Sequence, residues 1–338
     1  MKSAIFGAGA MGTVLGAYIS RAGIDITLVN RNKEHVDALN RKGAAVIGET
    51  VMTQKVRAVL PEEMDDGYDV IILMTKQAEN EKNAEFLKSK LSDKGVVCTA
   101  QNGLPETGLA KMLGEHKVIG CTAVWGATLV EPGVVRLTSK IRGMSFQIGS
   151  LTDGNEEQIQ RVKALLEKMC PVYIEENFIG ARWSKLLLNT AFSGLSAVSG
   201  LTFGQIVKDR NSLEIAQRVI KEAIDVAKAA DIRIMPLQGK DIVKLMDYKG
   251  VIKKAFAKMI IPIAISSHRS VRSGMLEDIQ RGRKTDIEAI NGVVCEFGNK
   301  YGCKTPFNDR IVSLVQKIET GENKVSRENL FLFKDLLL

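Results

Sequence analysis

The six residues Gly7-Ala8-Gly9-Ala10-Met11-Gly12 constrain this chain more than any other feature. They follow a short apolar run, residues 2–6, and open a helical stretch over residues 13–22, after which residues 25–29 form a second apolar run. A GxGxxG spacing alone is weak, because glycine-rich turns are common. Between a strand and a helix, inside one N-terminal βαβ unit, it specifies a dinucleotide-binding turn. Gly7 and Gly9 let the backbone approach a pyrophosphate, Gly12 lets the helix pack close to the sheet, and the helix N-terminus attracts negative charge. Ala8, Ala10 and Met11 complete the turn, and a tight βα turn that binds nothing is the alternative reading.

The end of the second strand bears on which dinucleotide. A site for NAD places Asp or Glu there, to accept hydrogen bonds from the adenosine ribose. This chain has Val29-Asn30-Arg31-Asn32-Lys33, with no carboxylate before Glu34. Arg31 and Lys33 can pair with a 2′-phosphate, which favours NADP(H), although both could simply cap a solvated loop. Residues 70–74 form a continuous apolar run, as a strand buried on both faces should, and end in Thr75-Lys76-Gln77. Residues 96–99 form another and lead to Gln101-Asn102-Gly103. Ligands of open α/β sheets sit outside the carboxyl ends of the strands, so Lys76 and Asn102 are candidates by position, with ordinary loop residues the alternative. Further strands are expected over 118–122, 134–138 and 145–148, separated by Glu131-Pro132-Gly133 and Arg142-Gly143. An amphipathic helix over 155–169 and a strand over 172–174 close a first domain, residues 1–178.

From about Gly180 the pattern is helical, which gives an all-α second domain over residues 179–338. Residues 183–193 are apolar nearly all round, the mark of a buried helix, yet Lys185, Asn189 and Ser193 recur every fourth residue and share a face. A buried lysine is costly unless it meets a partner or a ligand cavity, so this stripe faces either a site or solvent. Residues 273–292 read as a helix, a break at Gly282, and a second helix with Thr285 as N-cap. Asp286 and Glu288 then fall in its first turn, where the helix dipole alone accounts for carboxylates.

With 338 residues, 45% hydrophobic and 25% charged, the chain has core material for two domains and is neither disordered nor collagen-like. Lysine and arginine exceed aspartate and glutamate by eight, but the basic residues are spread out. The run from Lys249 to Lys254 lacks interleaved aromatics, so a solvated helix face is expected there rather than a nucleic-acid surface. No run approaches a membrane span, the longest being residues 259–265 with Pro262 inside it, and the N-terminus has no signal-peptide pattern. Five cysteines without a CxxC pair read as free thiols of a reducing compartment, and three scattered histidines suggest no metal site. A cytoplasmic protein is expected. Apolar runs over 234–268 leave room for a helical elaboration or for a homodimer contact.

Several motifs in this order resemble the ketopantoate reductase (2-dehydropantoate 2-reductase) family over nearly the whole chain. They are Gly7 to Gly12, Thr75-Lys76, Gln101-Asn102-Gly103, Lys185-Leu186-Leu187-Leu188-Asn189, Gly282 to Ile287, and Asn291-Gly292; Gly126-Ala127-Thr128 with Pro132-Gly133 is similar to the family's cofactor-side loop. The resemblance implies a Rossmann domain followed by an all-α domain, an active site in the cleft between them, and NADPH-dependent reduction of a 2-oxo acid to a 2-hydroxy acid. The leading substrate is ketopantoate, which gives pantoate in pantothenate biosynthesis. It also implies Lys185 as proton donor, Asn189 as a substrate amide, Asn102 as a contact to cofactor and substrate, Lys76 as the cleft lysine and Arg31 as the 2′-phosphate contact. Asp286 is the expected carboxylate partner of Lys185 and a cofactor contact. Three positions depart from the family pattern. Asp286 stands where glutamate is usual, with Glu288 where aspartate is usual. Ser193 replaces the second asparagine of the substrate helix and is followed by Gly194 where proline is common. The substrate serine falls at Gly274, with Ser273 one residue away. A reductase of another 2-oxo acid and a non-catalytic NADP-binding sensor are the competing readings.

Overall fold

The structure is a computed structural model that describes residues 1–236, 241–246, 261, 269 and 271–337. The basic run from Lys249 to Lys254 and most of residues 234–268 lie outside the described residues, so the expectations placed on them stay as they are. The chain divides into two compact units, Met1–Phe178 and Ile179–Leu338.

The first unit is built on an eight-stranded sheet. Its strands are β1 (Ser3–Phe6), β2 (Ile26–Val29), β5 (Arg57–Val59), β6 (Tyr68–Leu73), β7 (Leu91–Thr99), β8 (Val118–Ala123), β11 (Phe146–Ser150) and β12 (Val172–Ile174), in the order β12-β11-β8-β7-β6-β1-β2-β5. The six from β8 to β5 are mutually parallel, whereas β11 pairs antiparallel with β8 and carries β12 parallel beside it. Parallel strands covered on both faces need unbroken apolar runs. β1 and β2 are buried at every position, and β6 at all but Asp69. β1 sits between β2, reached through helix α1 (Ala10–Arg21), and β6, so the winding direction reverses beside β1. That reversal opens a crevice at the carboxyl ends of the strands. The ends are level there, Phe6 pairing with Val29 on one side and Leu73 on the other, and Leu73 with Thr99.

A second sheet was not anticipated. The strands β3 (Ala44–Gly48), β4 (Met52–Gln54), β9 (Ala127–Glu131) and β10 (Val134–Leu137) form it in the order β4-β3-β10-β9. Glu131-Pro132-Gly133 is therefore the turn of a β9–β10 hairpin that packs on α1, not a break between strands of the main sheet. Helix α2 (Lys33–Lys42) begins at Asn32, whose side chain accepts the His35 N–H at 3.2 Å. The helices α3 (Asn80–Lys90), α4 (Glu106–Leu113) and α5 (Glu156–Leu166) complete the unit.

In the second unit every described element is helical. Helix α6 (Phe178–Leu188) runs through a π-helical turn, Asn189–Ser193, into α7 (Gly194–Ser199); α8 (Phe203–Lys208) and the long α9 (Arg210–Ala229) follow. On α9, Ile215, Val219, Ile220, Ala223, Ile224 and Ala227 are buried, a three-four spacing that turns one stripe to the core. Glu222, on the same helix, caps the N-terminus of the helix Pro306–Glu319. Its carboxylate accepts the Phe307 and Asn308 backbone N–H groups at 2.9 and 3.0 Å, and the Asn308 side-chain amide at 2.7 Å. Burial pushes its pKa up to about 7, against the opposite pull of those donors. All five cysteines are free, and Cys98, Cys121 and Cys170 are buried. Among the described residues no helix is long and apolar enough to cross a membrane.

Candidate active site

The glycine turn lies at the end of β1, on the crevice side of the main sheet. Gly7 has φ +99°, and a Cβ there would lie 2.8 Å from the backbone of Met74 and Thr75. Its lack of a side chain thus lets the ends of β1 and β6 close on each other. Gly9 has nothing within 4 Å of its would-be Cβ, so here the backbone is open to a ligand. A Cβ at Gly12 would lie 2.9 Å from the Gly7 carbonyl oxygen and 3.0 Å from Ile5, so only glycine allows the close helix-to-strand packing there. Helix α1 starts at Ala10, three residues earlier than the periodicity suggests, with no side-chain cap and no acidic residue in its first turn. An anion therefore faces unopposed backbone N–H groups. Ala8 is buried at the centre of the turn, while Ala10 and Met11 form the rim of the helix end.

His35 holds this turn in place. Its ring is buried, with Nε2 3.1 Å from the Ala8 carbonyl oxygen and 3.1 Å from Thr13 Oγ1, while the Gly133 N–H donates to Nδ1 at 3.1 Å. A donor at Nδ1 assigns the ring proton to Nε2, aimed at Ala8. Burial lowers the His35 pKa and keeps the ring neutral, against the opposing Ala8 hydrogen bond. As a lone histidine in the sequence it carried no signal, because both its partners and its burial arise from tertiary packing.

Around the crevice, the expected ligand residues sit at successive strand ends. Lys76 and Asn102 are exposed after β6 and β7, and the Gln77 side-chain amide donates to the Asn102 carbonyl. Gln101, the buried first residue of the Gln101-Asn102-Gly103 motif, positions the loops rather than facing the crevice as a strand-end ligand. Its amide nitrogen donates to the Thr75 carbonyl at 2.9 Å and to Asn80 Oδ1 at 2.7 Å, and its oxygen accepts from Thr99 Oγ1 at 3.0 Å. It fixes the β6 and β7 loops relative to each other. Gly126, after β8, donates its N–H to Ser139 Oγ at 2.9 Å, and its carbonyl accepts the Thr138 hydroxyl at 2.9 Å. Arg31, after β2, makes an ion pair with Glu79 at 2.5 Å, and Lys33 pairs with Asp37 at 3.7 Å.

In the helical unit, Lys185, Asn189 and Ser193 are half-buried, while Leu186, Leu187, Thr190, Ala191 and Phe192 are buried. The stripe exists, but its lower half is not α-helical: Asn189–Ser193 is a π-turn with wider hydrogen-bond spacing than a four-residue repeat assumes. A second π-turn, Glu288–Gly292, packs against it. The two are joined by Asn291, fully buried, whose amide donates to the Thr190 carbonyl at 3.0 Å and to Asn308 Oδ1 at 2.9 Å. Asn291 thus takes up a carbonyl in the widened turn beside Asn189. Asp286 is half-buried just before the second helix, which starts at Ile287, and the Thr285 hydroxyl accepts the Ile287 N–H at 3.1 Å, the capping bond expected of it. Glu288 is exposed and accepts from Gln316. Ser273 stands at another helix start. It is buried as the N-cap of the helix Gly274–Gln280, accepting the Leu276 N–H at 3.1 Å, whereas Gly274 is exposed, with nothing within 4 Å of its would-be Cβ. No group of three or more potential metal ligands occurs among the described residues.

Two family models cover most of the chain: "Ketopantoate reductase PanE/ApbA" over residues 3–151 and "Ketopantoate reductase PanE/ApbA C terminal" over residues 177–319. The chain belongs to the ketopantoate reductase family. It is 29% identical to the 2-dehydropantoate 2-reductase of Pyrococcus horikoshii, over 95% of this chain and 98% of that one. It is likewise 29% identical to the enzyme of that name from Aquifex aeolicus, over 94% and 97%. Among solved structures, a PanE/ApbA family ketopantoate reductase from Ralstonia eutropha JMP134 superimposes with a TM-score of 0.80 at 25% identity, covering 95% of this chain and 99% of that one. A D-mandelate dehydrogenase solved with NADH and anilino(oxo)acetate shares the fold, with a TM-score of 0.82 at 24% identity over 95% and 99%. Membership of the ketopantoate reductase family makes the chain an oxidoreductase acting on CH–OH groups, with a Rossmann-type dinucleotide-binding domain and a helical C-terminal domain.

Proposed function

We propose that this ketopantoate reductase family member reduces a 2-oxo acid to the 2-hydroxy acid with NADPH, ketopantoate being the leading substrate. The observation that carries the reading is the half-buried stripe of Lys185, Asn189 and Ser193, flanked by the buried side chains of Leu186, Leu187, Thr190, Ala191 and Phe192. A cofactor sensor has no need of such a cation. The first unit fits the dinucleotide: the open backbone at Gly9 and the uncapped, acid-free start of α1 suit a pyrophosphate.

NADPH, when bound, supplies the hydride. Hydride addition to the C2 carbonyl carbon leaves negative charge on its oxygen. The Lys185 ammonium stabilises that charge as it develops and gives the oxygen its proton, which solvent then restores to Nζ. Asn189 and Asn102 supply amides that orient the substrate, and Asp286 orients Lys185. Residues 1–178 take the dinucleotide-binding role and residues 179–338 the substrate and proton-donor role.

A panel of 2-oxo acids with NADPH consumption read by absorbance tests this, run beside Lys185→Ala. The substitution is expected to lower kcat by about 10²–10⁴-fold with NADPH binding retained. Tight NADPH binding with no oxo acid reduced would leave the sensor reading in possession. The open position at Gly274 favours a second reading, a 2-oxo acid bulkier than ketopantoate, which the same panel separates by kcat/KM.

A further inference from the structure

The sequence offers no carboxylate at the end of β2, and on that ground NADPH is preferred over NADH. The fold supplies one from elsewhere. β2 and β6 flank β1 with their carboxyl ends level, which brings the loop after β6 beside the loop after β2. Glu79, from the former, sits with Oε1 2.5 Å from Arg31 Nη1. Among the described residues neither side chain makes another hydrogen bond or ion pair. The two side chains are 78% and 42% exposed, and Glu79, although it stands at the start of α3, makes no side-chain cap bond to it. An exposed pair of this kind adds little to stability. Neighbouring polar groups are spent locally: Asn30 accepts the Asn32 N–H at 2.8 Å, Asn32 caps α2, and Lys33 pairs with Asp37.

The adenosine ribose of a dinucleotide in this crevice lies at the end of the second strand. A 2′-phosphate drawn to Arg31 therefore arrives next to the Glu79 carboxylate, which repels it and competes for the same guanidinium. A bare 2′-hydroxyl meets the opposite situation, since the carboxylate accepts its hydrogen bond as an acid at the end of β2 does in NAD sites. We propose that Glu79 is a cofactor-specificity residue that opposes the 2′-phosphate of NADPH and accepts the 2′-hydroxyl of NADH. The proposal rests on the nicotinamide-dinucleotide reading given above. On this basis the enzyme takes both cofactors, with a narrower preference than Arg31 alone would give.

Glu79→Gln removes the charge, keeps the size and disturbs no cap. Dissociation constants of NADPH and NADH, from quenching of protein fluorescence on full-length wild type and variant, decide the matter. NADPH should bind more tightly in the variant and NADH more weakly, moving the ratio of the two constants by about 3- to 10-fold. A merely structural effect would move both in the same direction. Constants that stay unchanged, or shift together, overturn the role of Glu79 and leave the dinucleotide reading standing. A wild-type protein that binds neither cofactor overturns both.

Discussion

His35→Leu removes three things at once from the base of the cofactor turn: an acceptor for the Gly133 N–H, a donor to the Ala8 carbonyl, and a contact to Thr13. The Ala8 carbonyl keeps the Thr13 hydroxyl, 3.1 Å away, so it is not orphaned. The Gly133 N–H has no such replacement. A buried unpaired donor costs about 1–3 kcal/mol and a lost hydrogen bond about 1 kcal/mol, so the first unit should lose about 2–4 kcal/mol. For a unit of 178 residues that is a fall in Tm of roughly 4–15 °C. The chain has two tryptophans, one in each unit, so Trp183→Phe leaves Trp125, edge-on to Phe146, as sole reporter of the first. Urea unfolding followed at Trp125 gives the stability, and NADPH titration gives the effect on the turn, a weakening of about tenfold if 1.4 kcal/mol of the loss is felt at the site. The pH dependence fixes the cause. His35 has a lowered pKa in the fold, so below about pH 6.5 the unfolded chain binds a proton that the native ring refuses. Wild-type stability therefore falls as pH drops through that region, and His35→Leu should flatten this part of the curve. A variant within about 0.5 kcal/mol of wild type, or with a parallel pH profile, would refute the reasoning.

Other positions give equally direct tests. Glu222 holds its proton in the fold up to about pH 7 but releases it near 4.5 when unfolded, so the native state binds more protons between the two and stability falls by about 3 kcal/mol as pH rises across that window. Glu222→Gln should abolish that slope in denaturant titrations at pH 4.5 to 7.5; an unchanged slope would place its origin elsewhere. Asn291→Ala strips the Thr190 carbonyl of the donor described above and should cost about 2–4 kcal/mol, with kcat falling more than NADPH affinity because Asn189 belongs to the same turn. Equal losses in both would argue against a local role. Gly7→Ala drives a methyl to 2.8 Å from the Met74 and Thr75 backbone and should destabilise the first unit by several kcal/mol or prevent its folding, as circular dichroism and expression yield would report.

What could be read from the sequence is what local chemistry encodes. The glycine turn, the apolar runs of β1, β2 and β6, and the helical second half each carry their signal within a dozen residues. The second sheet does not: β4 has three residues, and β3 pairs in parallel with β10 some ninety positions later, so neither period nor length betrays it. Arg31 was visible because it follows β2 directly, whereas Glu79 comes from the next strand pair and reaches it only through the order of the sheet. His35 and Gln101 belong to the same class, buried polar side chains whose partners are distant in the chain. The stripe Lys185, Asn189, Ser193 was seen and its helix type was not, because five residues of π-turn leave the polar spacing unchanged.

The facing π-turns bear on how chain length can vary in this protein. A π-turn holds one residue more than the α-turn it interrupts. Deleting a single residue from Asn189–Ser193 would restore the α register and leave Lys185 at nearly the same rotation about the helix axis relative to α7, because the π-turn accommodates its extra residue within one turn. The same arithmetic applies to Glu288–Gly292, and the two turns meet through Asn291 and Thr190. A deletion at either place, about a hundred residues apart, should therefore be felt first at the Asn291–Thr190 hydrogen bond and only weakly in the direction of the helices.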